Sequence, residues 1–269
     1  MATSLDLGAL SVAVVMPAYN EADGIEEFLD ELVSQLIPEV GELTIIVVDD
    51  LSTDNTVEVV KRYAATAPCD VSIIPWPVNR GHGPTSLSAY WAGTDSGSDV
   101  IVHVDGDGQF DALDIAAMLR EVARESDAVL GIRYARSDPW FRKALTRSVH
   151  AYLRAAAGLK VQDANCPLRA YRREALLEVL DLVPAEPMVP TLYLSILSEK
   201  YLDALVEMPV RSLPRRGDVA TGTMWGGARS ELIPSKRLVK FVLGALKESL
   251  ITLPRLGHSG SRPRAVNAS

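Results

Sequence analysis

The segment Ile101-Val102-His103-Val104 is an apolar run that ends in Asp105-Gly106-Asp107-Gly108-Gln109, two carboxylates one residue apart between glycines. Side chains two apart on a continuing strand share a face, and glycine frees the backbone to turn, so Asp105 and Asp107 can converge on one hard divalent cation. A cation held this way usually carries phosphate. Taken alone, such a pair equally makes an ordinary solvated turn, so its surroundings have to decide.

Those surroundings read as a succession of strands and helices. Short β-branched runs alternate with amphipathic segments from Leu10 to about Ala135, which predicts βαβ units and a largely parallel sheet. Strands are expected at Val12–Met16, Thr44–Asp49, Val71–Pro75, Val100–Asp105 and Ala128–Ile132, and helices at Ala22–Leu36 and Thr53–Ala65, with Ser52, Thr53 and Asp54 as caps of the second. A fully apolar strand such as Ile45-Ile46-Val47-Val48 fits a sheet covered on both faces. In such sheets ligands bind beyond the C-terminal strand ends. Here polar clusters follow every expected strand: Pro17 to Glu21, Asp49 to Asp54, Asn79 to Gly83, the Asp-x-Asp, and Gly131-Ile132-Arg133.

Composition narrows the function classes. With 269 residues, 48% of them hydrophobic, the chain can bury a large core. A net charge of −8 argues against general nucleic-acid binding. Two cysteines, Cys69 and Cys166, and four histidines show no zinc-ligand spacing, and the cysteines read as reduced thiols. The first residues carry no basic segment ahead of an apolar one, and no stretch reaches the roughly 18 to 20 apolar residues that span a bilayer. The expectation is a cytoplasmic protein whose membrane contact, if it has one, is peripheral and on the inner face. No Gly-x-Gly-x-x-Gly follows the first strand, which counts against a dinucleotide-dependent oxidoreductase.

In their order, these motifs resemble the inverting family 2 glycosyltransferases of GT-A fold, above all the dolichol-phosphate and polyprenyl-phosphate sugar synthases. The resemblance rests on Pro17-Ala18-Tyr19-Asn20-Glu21, on Val48 to Thr56, on Asn79-Arg80-Gly81-His82-Gly83, on Asp105 to Gln109 and on Gly131-Ile132-Arg133. Later blocks, Asp163 to Arg172, Glu207 to Val210 and Arg215-Arg216-Gly217, extend it over about residues 10 to 250. Three features depart from the pattern. Asn55 replaces the usual glycine, Cys166-Pro167-Leu168 replaces a small residue, glycine and aromatic, and the C-terminal transmembrane helices of some relatives are not in the sequence.

The resemblance implies roles. Pro17, Ala18, Tyr19, Asn20, Glu21, Asp49, Asp50, Ser52 and Gly81 would bind the nucleotide and donor, together with Asp105, Gly106 and Asp107. Asp105 and Asp107 would hold Mg2+ or Mn2+ against the donor diphosphate, with Gln109 as a third oxygen ligand. Arg133, Arg142 and Arg147 are candidates to neutralise the leaving diphosphate or an acceptor phosphate; of the arginines in family-like blocks, Arg169 would be catalytic with Asp163 and Arg133, and Arg216 would contact phosphate or acceptor. Asp163 is the candidate base for a hydroxyl acceptor; for an already ionised polyprenyl phosphate it would orient groups instead. Lys236 resembles a phosphate-contacting lysine.

The basic, apolar segment 234–251 reads either as a helix lying on anionic lipid or as an ordinary packed helix. The glycine-rich run Arg215 to Gly227 is expected to close over the donor. The organisation expected is a GT-A domain over 10–225, a loop and amphipathic helix over 226–256, and a flexible tail over 257–269. The function expected is metal-dependent, inverting transfer of a sugar from a GDP- or UDP-linked donor to a polyprenyl or dolichyl phosphate. Transfer to a soluble hydroxyl and non-catalytic nucleotide-sugar binding are the alternatives.

Overall fold

The computed structural model describes residues 6–134 and 160–217, with positions 151, 154, 158, 244, 247 and 248. Seven strands form one sheet: β1 Ser11–Ala18, β2 Glu42–Asp49, β3 Asp70–Pro75, β4 Val100–His103, β5 Ala128–Tyr134, β6 Arg169–Arg172 and β7 Leu205–Arg211, in the order β3-β2-β1-β4-β6-β5-β7. All run parallel except β6, which is antiparallel to both β4 and β5. The α/β class, the largely parallel sheet and the five expected strands are therefore present, each within two or three residues of its expected ends.

Alternation along each strand builds two cores. Val12, Val14 and Met16 of β1 and Val100 and Val102 of β4 point to one face, while Ala13, Val15 and Ile101 point to the other. The first face is covered by α1 Ile25–Leu36, α2 Thr56–Ala64 and α4 Ala112–Ala123. In α1, Ile25, Phe28, Leu29, Leu32, Val33 and Leu36 recur at helical spacing and are buried, each worth about 1.5–3 kcal/mol when fully removed from water. The second face is covered by α3 His82–Asp95, α5 Arg173–Leu180 and α6 Pro190–Tyr201. The helix expected over Ala22–Leu36 begins later, at Ile25, because residues 21–24 form a turn in which Glu21 O accepts from Gly24 and Ile25 N.

Two topological facts place the site. Strand order reverses between β1 and β4, and crevices open at such a reversal beyond the C-terminal strand ends. Because β6 runs against its neighbours, it starts where β4 finishes, with His103 and Leu130 of β5 both opposite Arg169. The residues that lead into β6 are thereby delivered to the same sheet edge as the Asp-x-Asp.

Candidate active site

The β1 and β4 ends meet closely. Gly106 N donates to Pro17 O at 3.1 Å, and a Cβ on Gly106 would lie 3.0 Å from that oxygen, so the approach suits glycine. After β1, Asn20 adopts a left-handed φ of 56°, and its Oδ1 accepts from Thr53 N at 2.8 Å. After β2, Leu51 also has a left-handed φ, 60°, which is costly for a branched side chain and belongs to the strained turns found at binding sites. That turn is held by Asp49, which accepts from the backbone and hydroxyl of Ser52, and by Asn20 N donating to Ser52 Oγ at 2.9 Å. Asp54, expected to cap α2, accepts from Thr56 N at 3.0 Å and also from Ala22 N at 3.1 Å.

Asp50 links the second and third strand ends. Its carboxylate accepts from Arg80 N at 2.7 Å and Gly81 N at 2.9 Å, while Asn79 Nδ2 donates to its carbonyl at 2.8 Å. Gly81, at φ 88°, turns the chain into α3. The buried Asp49 and Asp50 and the half-buried Ser52 and Asn20 thus spend hydrogen bonds on shaping one cradle from three strand ends.

Carboxylates concentrate at the centre of this cradle. Burial and the neighbouring Asp105 push Asp107 up to about 6. Burial pushes Glu21 up to about 8 against the opposing pull of Arg215, with Asp107 and Asp105 adding to the rise. Asp105 Oδ1 is sealed from solvent and has no hydrogen-bond partner. A buried oxygen without a donor, beside a second carboxyl reluctant to ionise, makes a donor set that fits a hard divalent ion. Among the described residues, no three His, Cys, Asp or Glu side chains already converge on one point.

A strap crosses the Asp-x-Asp turn. Leu213 N donates to Gln109 O at 2.9 Å, Gln109 Nε2 to Leu213 O at 3.2 Å, and Arg216 N to Asp107 O at 3.1 Å. Arg215 pairs with Glu21 at 2.5 Å, both nearly buried. The expectation for Arg216 is corrected here. Its guanidinium pairs with Glu31 and, at 3.4 Å, with Glu27, and lies over the Phe28 ring, so it fastens the strap to α1 instead of facing a phosphate. Gln109 gives the strap its amide nitrogen, and the expected oxygen ligand would be its Oε1.

On the other side, Asp163 accepts from Arg133 Nε at 2.8 Å and Nη2 at 2.9 Å, with side chains 11% and 15% exposed. Burial opposes the charge on Arg133, yet these bonds hold its pKa above the ordinary arginine value. Arg169, expected to be catalytic, is corrected as well. It is fully buried and donates to Cys166 O, Ala164 O and Ser195 Oγ, all at 2.8 Å, so it organises the loop before β6 and ties it to α6. Cys166, pushed up to about 12 by burial, is an inert packing thiol.

Arg142, Arg147, Lys236 and the run 218–227 lie outside the described residues. Of segment 234–251, Glu248 accepts from Met188 N and Tyr193 Oη, placing it against the start of α6. Among the described residues, no helix is long and apolar enough to cross a membrane. Two residues at the centre were not singled out from sequence, Arg215 and His82. Each stood inside a motif already read, next to a glycine turn, and only its partner across the crevice marks it.

Comparison with known proteins is consistent with this geometry. The profile of glycosyl transferase family 2 matches residues 13–180. An undecaprenyl-phosphate 4-deoxy-4-formamido-L-arabinose transferase of Edwardsiella ictaluri (strain 93-146) is 29% identical over 79% of this chain and 63% of its own length. One so named from Sodalis glossinidius (strain morsitans) is 30% identical over 74% and 59%. The chain thus spans less than two thirds of the length of these relatives. Among solved structures, glucosyl-3-phosphoglycerate synthase from Mycobacterium tuberculosis, in complex with Mn2+ and UDP-glucose, superposes with a TM-score of 0.61 at 19% identity over 91% of this chain and 79% of that one. That likeness shows the GT-A fold.

Proposed function

The chain belongs to glycosyl transferase family 2, and from that premise we propose that it transfers a sugar, with inversion, from a nucleotide-diphosphate donor to a polyprenyl phosphate. The single observation that carries the choice of acceptor is the Arg133–Asp163 pair. A hydroxyl acceptor needs a base to take its proton in the transition state. The carboxylate in the expected position is instead held by both arms of a guanidinium, so both of its oxygens already accept hydrogen bonds. A phosphate acceptor arrives ionised and needs no such base. The names of the curated relatives, which are undecaprenyl-phosphate transferases, support the same reading.

The cradle of Pro17 to Glu21, Asp49 to Ser52 and Gly81 positions the nucleoside. Asp105 and Asp107 would hold Mg2+ or Mn2+, which supplies positive charge to the donor diphosphate; the Mn2+ in the M. tuberculosis structure supports this assignment. In the transfer, an acceptor phosphate oxygen attacks the anomeric carbon from the face opposite the diphosphate. The bond from that carbon to the diphosphate oxygen breaks, and the electron pair leaves with the nucleoside diphosphate. Arg215 and Arg133 are the guanidinium groups on the two sides of the crevice that can offset the developing charge.

The test is release of nucleoside diphosphate from a panel of GDP- and UDP-sugars, with Mg2+ or Mn2+, with and without short-chain polyprenyl phosphate. Release from one donor that depends on the lipid phosphate, and is lost in Asp107→Ala, is the expected result. Equal release with a soluble alcohol acceptor would overturn the lipid assignment. A lipid-linked acceptor would bring the protein to the inner face of a membrane, and segment 234–251, basic and apolar in sequence, is the contact we propose.

A further inference from the structure

We propose that His82 is a nitrogen ligand of the divalent cation, completing with Asp105 and Asp107 a mixed oxygen and nitrogen site that favours Mn2+ over Mg2+. The inference rests on the proposed metal site and adds a ligand to it. His82 is the first residue of α3, directly after the left-handed Gly81. Asp50 clamps that turn by accepting from Arg80 N and Gly81 N, so the direction in which His82 leaves the backbone is set by a buried carboxylate. Its Nε2 lies 3.7 Å from Asp105 Oδ1.

That distance is too long for a hydrogen bond, and Asp105 Oδ1 is the oxygen that is sealed and has no other partner. Two ligands held about 2.0–2.2 Å from a shared cation sit roughly 3–4 Å apart, so a cation between them satisfies both atoms. The ring is held in place by Ser86, one turn along α3, whose Oγ is 3.3 Å from Nε2. On cation binding the hydroxyl rotates away and leaves the lone pair to the metal. Mg2+ demands near-ideal octahedral oxygen coordination and dehydrates reluctantly, so exchanging an oxygen ligand for imidazole costs it more than it costs a first-row transition ion such as Mn2+.

The side chain is 58% exposed, so His82→Gln is expected to fold normally, and a thermal melt checks it. The experiment is Mn2+ binding to the full chain, with and without UDP, followed by pulsed EPR for nitrogen hyperfine coupling. Expected is a 14N imidazole coupling in the wild type that disappears in His82→Gln while Mn2+ still binds. The Mn2+ to Mg2+ affinity ratio should fall by about tenfold in the variant, the lower end of what loss of a group at a metal site costs. Bound Mn2+ with no 14N coupling, or coupling unchanged in His82→Gln, overturns the assignment and leaves the carboxylate site standing. Failure of the wild type to bind Mn2+ at all, even with UDP, overturns the metal site and this ligand together.

Discussion

Asp163→Asn separates the two roles open to this carboxylate. The pair with Arg133 consists of two charge-assisted hydrogen bonds at 2.8 and 2.9 Å between side chains 11% and 15% exposed. Removing one partner of a fully buried pair costs about 3–5 kcal/mol, mostly because the other charge is left uncompensated. Here Arg133 keeps a little solvent, and the asparagine retains one acceptor oxygen, so the expected loss is about 2–3 kcal/mol. In a chain of this size that lowers the melting temperature by about 4–12 °C, at roughly 2–4 °C per kcal/mol. Urea unfolding and a thermal melt measure it. Turnover with polyprenyl phosphate is then assayed on the folded variant. If the carboxylate only holds Arg133, adding Arg133→Met to Asp163→Asn recovers much of the lost stability, since no charge is left stranded. The reasoning is refuted if Asp163→Asn costs less than about 0.5 kcal/mol, or if the folded variant loses the 10²–10⁴-fold in rate typical of a missing general base.

Four further outcomes follow from the same geometry. Burial and Asp105 push Asp107 up to about 6, so below that pH a cation must displace a proton; Mn2+ affinity should be flat above about pH 6 and fall by up to tenfold per unit below it, read by titration between pH 5 and 8. A Cβ on Gly83 would sit 2.3 Å from Pro187 O and 2.6 Å from Met188 O, so Gly83→Ala should cost about 1–3 kcal/mol in a denaturant melt, and an unchanged midpoint would mean the loop at 187–188 yields freely. Arg169→Met strands the carbonyls of Cys166 and Ala164 and the hydroxyl of Ser195; a loss of about 3–5 kcal/mol is expected in the same assay, with donor affinity of the folded fraction unchanged. Arg215→Gln leaves the buried Glu21 unpaired beside two other carboxyls, so Mn2+, measured by titration, should bind more tightly while UDP, which loses a guanidinium, binds more weakly.

Much of this protein was legible in one dimension. Strand periodicity is local, since an apolar run such as Ile45 to Val48 has to be covered on both faces wherever it lies, and β1 to β5 accordingly fall where the pattern puts them. The turn after each strand is also written locally. Gly81, Asn20 and the glycines around Asp107 allow backbone shapes that other residues resist, which is why the polar strand ends, including Asp105 and Asp107, are legible in the sequence. The ordered set of those ends pointed to the family that the comparison then showed.

What local pattern could not carry was partnership across the crevice. Arg133, Arg169 and Arg216 look alike as letters, yet one grips Asp163 at the rim, one is sealed among carbonyls and one is fastened to Glu31 on α1. Their roles depend on an antiparallel β6 bringing residues 163–168 to the sheet edge, and on a strap from residue 213 crossing the Asp-x-Asp turn. Both are contacts between segments tens to about a hundred residues apart. A residue's type determines what it can donate or accept; which oxygen waits for it is decided only when the sheet has closed and the chain has returned.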